Sequence, residues 1–347
     1  MPENALMKGT KLAAVCALAA HVGLAQTNQA DSVLAFRGVT VIDVVAGRAR
    51  PAMTVVIRGN RISQVGPSSM TVPENARVIS ADGKYLIPGL WDMHVHGIGN
   101  PGYRDFANPL LIANGVTGAR SMGRTTLADI LHERDAILRG EVIGPRIVAS
   151  SLMLDGPYPV WPEAAAVKSP EAARQLVDQQ KAGGADFIKI YSLLGRPEFF
   201  AVADEAKQQR ISFVGHVPAA VKASEASNAG MKSMEHLYGV LEETSSEADE
   251  LLARDKVNRE QYLTARAQGS TEPFLGLLES LRIWYRAALT HEPARADRLY
   301  KTLVANGTWQ VPTLVVIQAL RMTTNRITLG VERIRFFQTT PRLSCAS

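Results

Sequence analysis

The sequence predicts a two-part α/β protein, a small all-β unit followed by a TIM-like (β/α)8 barrel whose eighth strand is missing. Three observations predict it. Residues 33–65 read as short strands broken by turns, and no helical period appears before about residue 100. After Pro88-Gly89, apolar strand-like runs alternate with amphipathic helical ones, as in a parallel sheet with crossovers. Seven such strands can be counted, and more than six units favour a barrel over an open sheet.

Length and composition agree. At roughly 150 residues per domain, 347 residues make about two domains. A content of 46% hydrophobic and 20% charged residues supplies a core and excludes disordered or collagen-like chains. Two cysteines, Cys16 and Cys345, exclude a disulfide scaffold. The net charge of +5 is spread along the chain without a basic block, so no nucleic-acid partner is expected.

Residues 1–25 read as a signal peptide. Lys8 and Lys11 precede an apolar run from Leu12 to Leu24, and small residues end it near Ala25. The run is shorter than the roughly 20 apolar residues of a spanning helix, so no stable membrane anchor is expected. Export to a periplasm or beyond follows. Residues 26–88 form the β unit, with strands at 36–42, 54–57, 61–65 and 77–80. Gly59-Asn60 sits between two of them as a hairpin turn.

Residues 89–347 carry the incomplete barrel. Its first strand is read at 85–96. Later ones fall at 115–122, 145–151, 186–191, 211–216, 231–236 and 309–316. Leu127, Ile130, Leu131 and Leu138 share one face of a helix that ends by Gly140. Ser169-Pro170 starts another as N-cap and first helical residue, and Gly183-Gly184 closes it. The stretch between His236 and Trp309 is too long for one loop. It reads as a helical excursion at about 240–300 that covers the barrel mouth.

Four of the seven histidines end predicted strands. His94 and His96 are two apart on one strand, so both imidazoles face the same side. His216 and His236 end two further strands. Strand C-termini of a parallel barrel share one rim, so the four converge on a site suited to a divalent transition metal. His21, His132 and His291 read as leader, solvated helix and turn. Lys189 interrupts the apolar run Phe187-Ile188-Lys189-Ile190, where a buried ammonium is costly. It is either a barrel lysine paired with a carboxylate or, carboxylated by CO₂, an anion able to bridge two cations.

The segments Pro88-Gly89-Leu90-Trp91-Asp92-Met93-His94-Val95-His96, Ala185-Asp186-Phe187-Ile188-Lys189-Ile190, His216 and Glu235-His236 resemble the metal-dependent amidohydrolases. The nearest branch is the imidazolonepropionase-like group, which includes Xaa-Pro dipeptidases, and the resemblance spans about residues 33–320. It implies a barrel with a small β-sandwich domain and one or two divalent ions such as Zn. His94, His96 and a late aspartate would hold one ion, and His216 and His236 the other, with carboxylated Lys189 bridging. Gly115-Val116-Thr117-Gly118-Ala119-Arg120 matches the second strand, which makes Arg120 structural. Tyr191 and Tyr238 lie just beyond metal-site positions, where they orient a substrate carboxylate or carbonyl, or serve as packing.

One departure stands out. No aspartate follows Asp297, and neither an eighth strand nor returning sandwich strands are apparent. The expected function is hydrolysis of a C–N bond in an amide, cyclic amide or small dipeptide by metal-activated water. The alternative is a catalytically impaired metal-binding remnant lacking the late aspartate. A binding module on the same scaffold would need no metal. Should the chain turn over without that aspartate, Glu235 is the nearest candidate base. Homo-oligomerisation is left open.

Overall fold

The computed structural model describes residues 32–150, 152–272 and 275–319. The stretch read as a leader, with Cys16 and His21, and the stretch carrying Cys345 lie outside these residues. The chain divides into two compact units, Met1–Pro88 and Gly89–Ser347.

The first unit contains β1 (Val33–Asp43), β2 (Arg48–Arg58), β3 (Arg61–Pro67), β4 (Arg77–Ser80) and β5 (Tyr85–Leu86). They form one sheet ordered β3-β2-β1-β4, with β5 also on β1. The hairpin read at Gly59-Asn60 is present, with Arg58 paired to Arg61 across antiparallel β2 and β3. Alternation along the strands buries Val39, Met53 and Val55 in one cluster and Val33, Ala35 and Val56 in another. A second sheet facing this one, as a sandwich requires, is not among the described residues.

The second unit opens with β6 (Leu90–Val95), α1 (Pro101–Ala113), β7 (Val116–Ser121), α2 (Leu127–Leu138), β8 (Arg146–Ala149), β9 (Leu154–Asp155) and β10 (Ala165–Ala166). It continues with α3 (Pro170–Ala182), β11 (Phe187–Ile190), α4 (Arg196–Gln208), β12 (Ser212–Gly215), α5 (Ala223–Asn228) and β13 (Ser233–Glu235). The excursion supplies α6 (Val240–Thr244), α7 (Ala248–Ala267) and α8 (Leu277–Leu289). Then come α9 (Pro293–Asn306) and β14 (Trp309–Val311).

All strand pairs in this unit are parallel, in sheets β6-β7-β8 and β10-β9-β11-β12-β13-β14. A parallel bridge between Ser150 and Phe187 joins the two. Among the described residues nothing pairs β14 with β6. Helices start where their caps say: Ser169 Oγ accepts from Ala172 N at the head of α3, and Thr126 does the same for Asp129 N at α2. The main core lies between strands and outer helices, where Ile188, Ile190, Phe199, Val202, Met231 and Met234 are fully buried. Each such side chain contributes about 1.5–3 kcal/mol by leaving water.

Two strand boundaries differ from the sequence reading. The run at 85–96 is not one strand. Pro88 has no N–H to donate, and the chain breaks there into β5, on the first sheet, and β6, in the second unit. The run at 309–316 stops at Val311, because Pro312 interrupts the ladder and Thr313 takes φ +47°. A helical turn follows, with the N–H groups of Val316 and Ile317 donating to Thr313 O.

Candidate metal centre

The four histidines come together. His94 lies 4.6 Å from His236 and 5.0 Å from His96 between ring centres, and His216 lies 4.8 Å from His236. His94 lies on β6 and His96 directly follows it. His216 follows β12, whose last residue, Gly215, has φ +136°. A Cβ there would meet Ile190 O at 2.2 Å, so only glycine lets the strand end close on β11. His236 and Leu237 follow β13 with φ +60° and +64°. Two successive non-glycine residues in the left-handed region cost about 1–2 kcal/mol each, strain of the kind concentrated at functional sites.

Each ring is held by its Nδ1. Glu235 Oε2 lies 2.8 Å from His94 Nδ1, and Gly123 O lies 3.4 Å from His96 Nδ1. Ser192 Oγ lies 2.7 Å from His216 Nδ1, and Thr313 Oγ1 bonds His236 Nδ1. Burial lowers the proton affinity of all four rings, to a pKa of about 4 at His96 and about 3 at His236. The imidazoles are therefore neutral at pH 7. A carboxylate and a carbonyl can only accept, so His94 and His96 carry their protons on Nδ1.

That tautomer leaves two bare Nε2 lone pairs facing each other at 3.2 Å. Two nitrogens sharing a tetrahedral Zn²⁺ at 2.0–2.1 Å stand about 3.3 Å apart. Lys189 adds a second mark. It is fully buried, its Nζ has no hydrogen-bond partner, and burial lowers its pKa to about 7. The paired-lysine reading would place a carboxylate on it, but the Glu235 carboxylate is committed elsewhere. The donor set fits a divalent cation. Even so, among the described residues no group of three His, Cys, Asp or Glu side chains is already arranged as a ligand set.

Glu235, the fallback base of the sequence reading, has both carboxylate oxygens engaged. Its Oε1 accepts from Arg120 Nη2 and Ser233 Oγ, both at 2.7 Å, while Oε2 faces His94. Burial opposes its charge, but the His94 bond and the Lys189 and Arg120 charges outweigh that and lower its pKa. Arg120 also donates to Met93 O at 2.8 Å, so it ties β7 to β6 and β13. Sequence reasoning missed Ser192, Thr313 and Trp161. Only the position of Ser192, just past the strand of Lys189, offered a signal.

Tyr191 and Tyr238 pack on His216, with ring centres 3.9 and 4.6 Å away. The Tyr191 hydroxyl already accepts from Trp161 Nε1 at 2.9 Å. Tyr238 stacks on Trp284 of α8 at 4.6 Å. His132 is exposed on α2, and His291 bonds Thr244. The four histidines line a cavity of about 760 Å³, within the range for one small ligand. Its far wall includes Asp255, Asn258, Arg259 and Trp284 from the helical excursion.

No family model matches the sequence. An adenine deaminase of Rubrobacter xylanophilus is 41% identical over 76 residues, 21% of this chain and 12% of that enzyme. A dihydroorotase of Pelotomaculum thermopropionicum is 30% identical over 156 residues, 44% of this chain and 34% of its own length. The chain thus spans about a third or less of these curated relatives. A putative prolidase from Bifidobacterium longum shares the fold at TM-score 0.53 and 22% identity, with 80% of this chain and 79% of that one covered. A Xaa-Pro dipeptidase with methionine in its active site does so at TM-score 0.54 and 21% identity, covering 81% and 79%.

Proposed function

We propose that the chain is a member of the amidohydrolase superfamily and a metal-dependent hydrolase of C–N bonds, a reading supported by the shared fold and by the short segments it shares with an adenine deaminase and a dihydroorotase. The substrate is an amide, a cyclic amide or a small dipeptide, with Xaa-Pro dipeptides the first to test. The observation that carries this reading is the pair of opposed Nε2 lone pairs on His94 and His96, beside an unpartnered Lys189 Nζ.

His94 and His96 would hold one Zn²⁺ and His216 and His236 a second, with Lys189, carboxylated, between them. When bound, such ions supply Lewis acidity, which lowers the pKa of water and polarises a carbonyl. The chain's own residues do the rest. Glu235, Gly123, Ser192 and Thr313 fix each ring through Nδ1 and leave Nε2 free. Such outer partners are worth about 10–100-fold in metal affinity. Arg120 offsets the Glu235 charge, and residues of α7 and α8 form part of the cavity wall. A closed (β/α)8 barrel with a small sandwich domain is the architecture this reading assumes.

A second reading, a metal-binding remnant with little turnover, is favoured by one observation. Glu235 has both oxygens engaged, and the described residues after β14 contain no carboxylate to take a proton from water. Zinc content measured together with turnover on a panel of dipeptides and cyclic amides separates the two. Zinc uptake with hydrolysis supports the enzyme, uptake alone supports the remnant, and no uptake rejects both.

We also propose export to a periplasm or beyond, supported by Lys8, Lys11 and the apolar run that ends near Ala25. N-terminal sequencing of exported protein should begin near Gln26. Cytosolic protein retaining Met1 would reject it.

A further inference from the structure

We propose that Arg124 is the anchor for a carboxylate on the substrate, which makes this cavity a site for acidic substrates such as free dipeptides rather than neutral amides. The proposal rests on the hydrolytic reading above and narrows its substrate class.

Arg124 follows β7 and lines the same cavity as the four histidines. Its backbone is held at φ +74°, a left-handed conformation that a non-glycine residue adopts only under constraint. Its guanidinium carbon lies 4.1 Å from the centre of the Trp161 ring. Trp161 donates to the Tyr191 hydroxyl, and the Tyr191 ring packs on His216. A chain of contacts, stacking at its two ends and a hydrogen bond in its middle, therefore runs from Arg124 to His216.

Most of the cavity's other charges are tied. Arg259 gives Nε and Nη2 to Leu193 O, and Asp92 Oδ1 accepts from His94 N. Arg124 has no carboxylate within ion-pair distance among the described residues. Arg124 is exposed, and its guanidinium carries N–H donors in one rigid plane. Two parallel donors from such a fork match the two oxygens of a carboxylate. The left-handed backbone and the indole beneath it hold this exposed arginine at the cavity.

Isothermal titration of the full chain with the dipeptide Ala-Pro and with its C-terminal amide tests this. Wild type should bind the free acid about 10–100-fold more tightly than the amide. Arg124→Met should bring the acid down to the affinity of the amide while leaving the amide unchanged, and Arg124→Lys should fall between. Equal binding of acid and amide by wild type, no saturable binding of the acid, or an acid preference that survives Arg124→Met would overturn the proposal. Hydrolysis separates it from the reading it rests on. If zinc-loaded protein leaves Ala-Pro intact while the Arg124-dependent preference holds, the hydrolase falls and the anion site stands. If acid and amide are bound and cleaved alike, the reverse is true.

Discussion

Glu235 Oε2 lies 2.8 Å from His94 Nδ1, and this contact sets which nitrogen of His94 faces the cavity. The carboxylate is fully buried and would be costly without Arg120 on its other oxygen. Glu235→Gln keeps the shape but lets an amide N–H point at Nδ1, which favours the wrong tautomer. Zinc affinity, measured by competition with a chelator, should fall about 10–100-fold. An unchanged affinity would remove Glu235 from the site.

Lys189 is buried without a hydrogen-bond partner, and its pKa of about 7 leaves much of it as free amine at neutral pH. A free amine is the form that adds CO₂. Protein prepared with zinc and ¹³C-bicarbonate should show a carbamate carbon signal by NMR, absent in Lys189→Met. Bicarbonate should also raise zinc uptake by wild type and leave the variant unaffected.

Acid should destabilise the metal-free protein in a defined window. The unfolded histidines titrate near 6.5, whereas burial lowers His96 to about 4 and His236 to about 3 when folded. Between those values the unfolded state binds more protons, so stability is fully present above pH 6.5 and is lost as pH falls through the folded pKa values. Thermal melts of chelator-treated protein should show Tm dropping from pH 6.5 towards pH 4. A double variant, His96→Gln with His236→Gln, should flatten that dependence.

Gly215→Ala combines a φ of +136° with a Cβ 2.2 Å from Ile190 O, a backbone atom that cannot swing aside. The expected loss is about 2–4 kcal/mol, read as a lower Tm and a lower denaturant midpoint. Gly47→Ala, in open space in the first unit, is the comparison. Its left-handed φ alone should cost about 1–2 kcal/mol.

Short-range pattern carried much of this architecture. A two-residue period put His94 and His96 on one face of a strand, and strand–helix alternation aligned the ends bearing His216 and His236. Caps such as Ser169-Pro170 marked helix starts, because a cap is bonded within three residues of itself. What the tertiary structure alone decided is where each polar atom finds its partner. Glu235 meets a histidine 141 residues away, Arg120 spans 115 residues to reach it, and Thr313 reaches His236 across 77. No local period encodes such pairs. The same limit applies to Lys189, whose lack of a hydrogen-bond partner is a property of every side chain packed around it. It applies to β14 as well, where apolar residues up to Val316 read as strand but Pro312 and a left-handed Thr313 turn the chain into a helix. Local propensity sets the direction a side chain leaves the backbone, and only the assembled fold sets what it meets there.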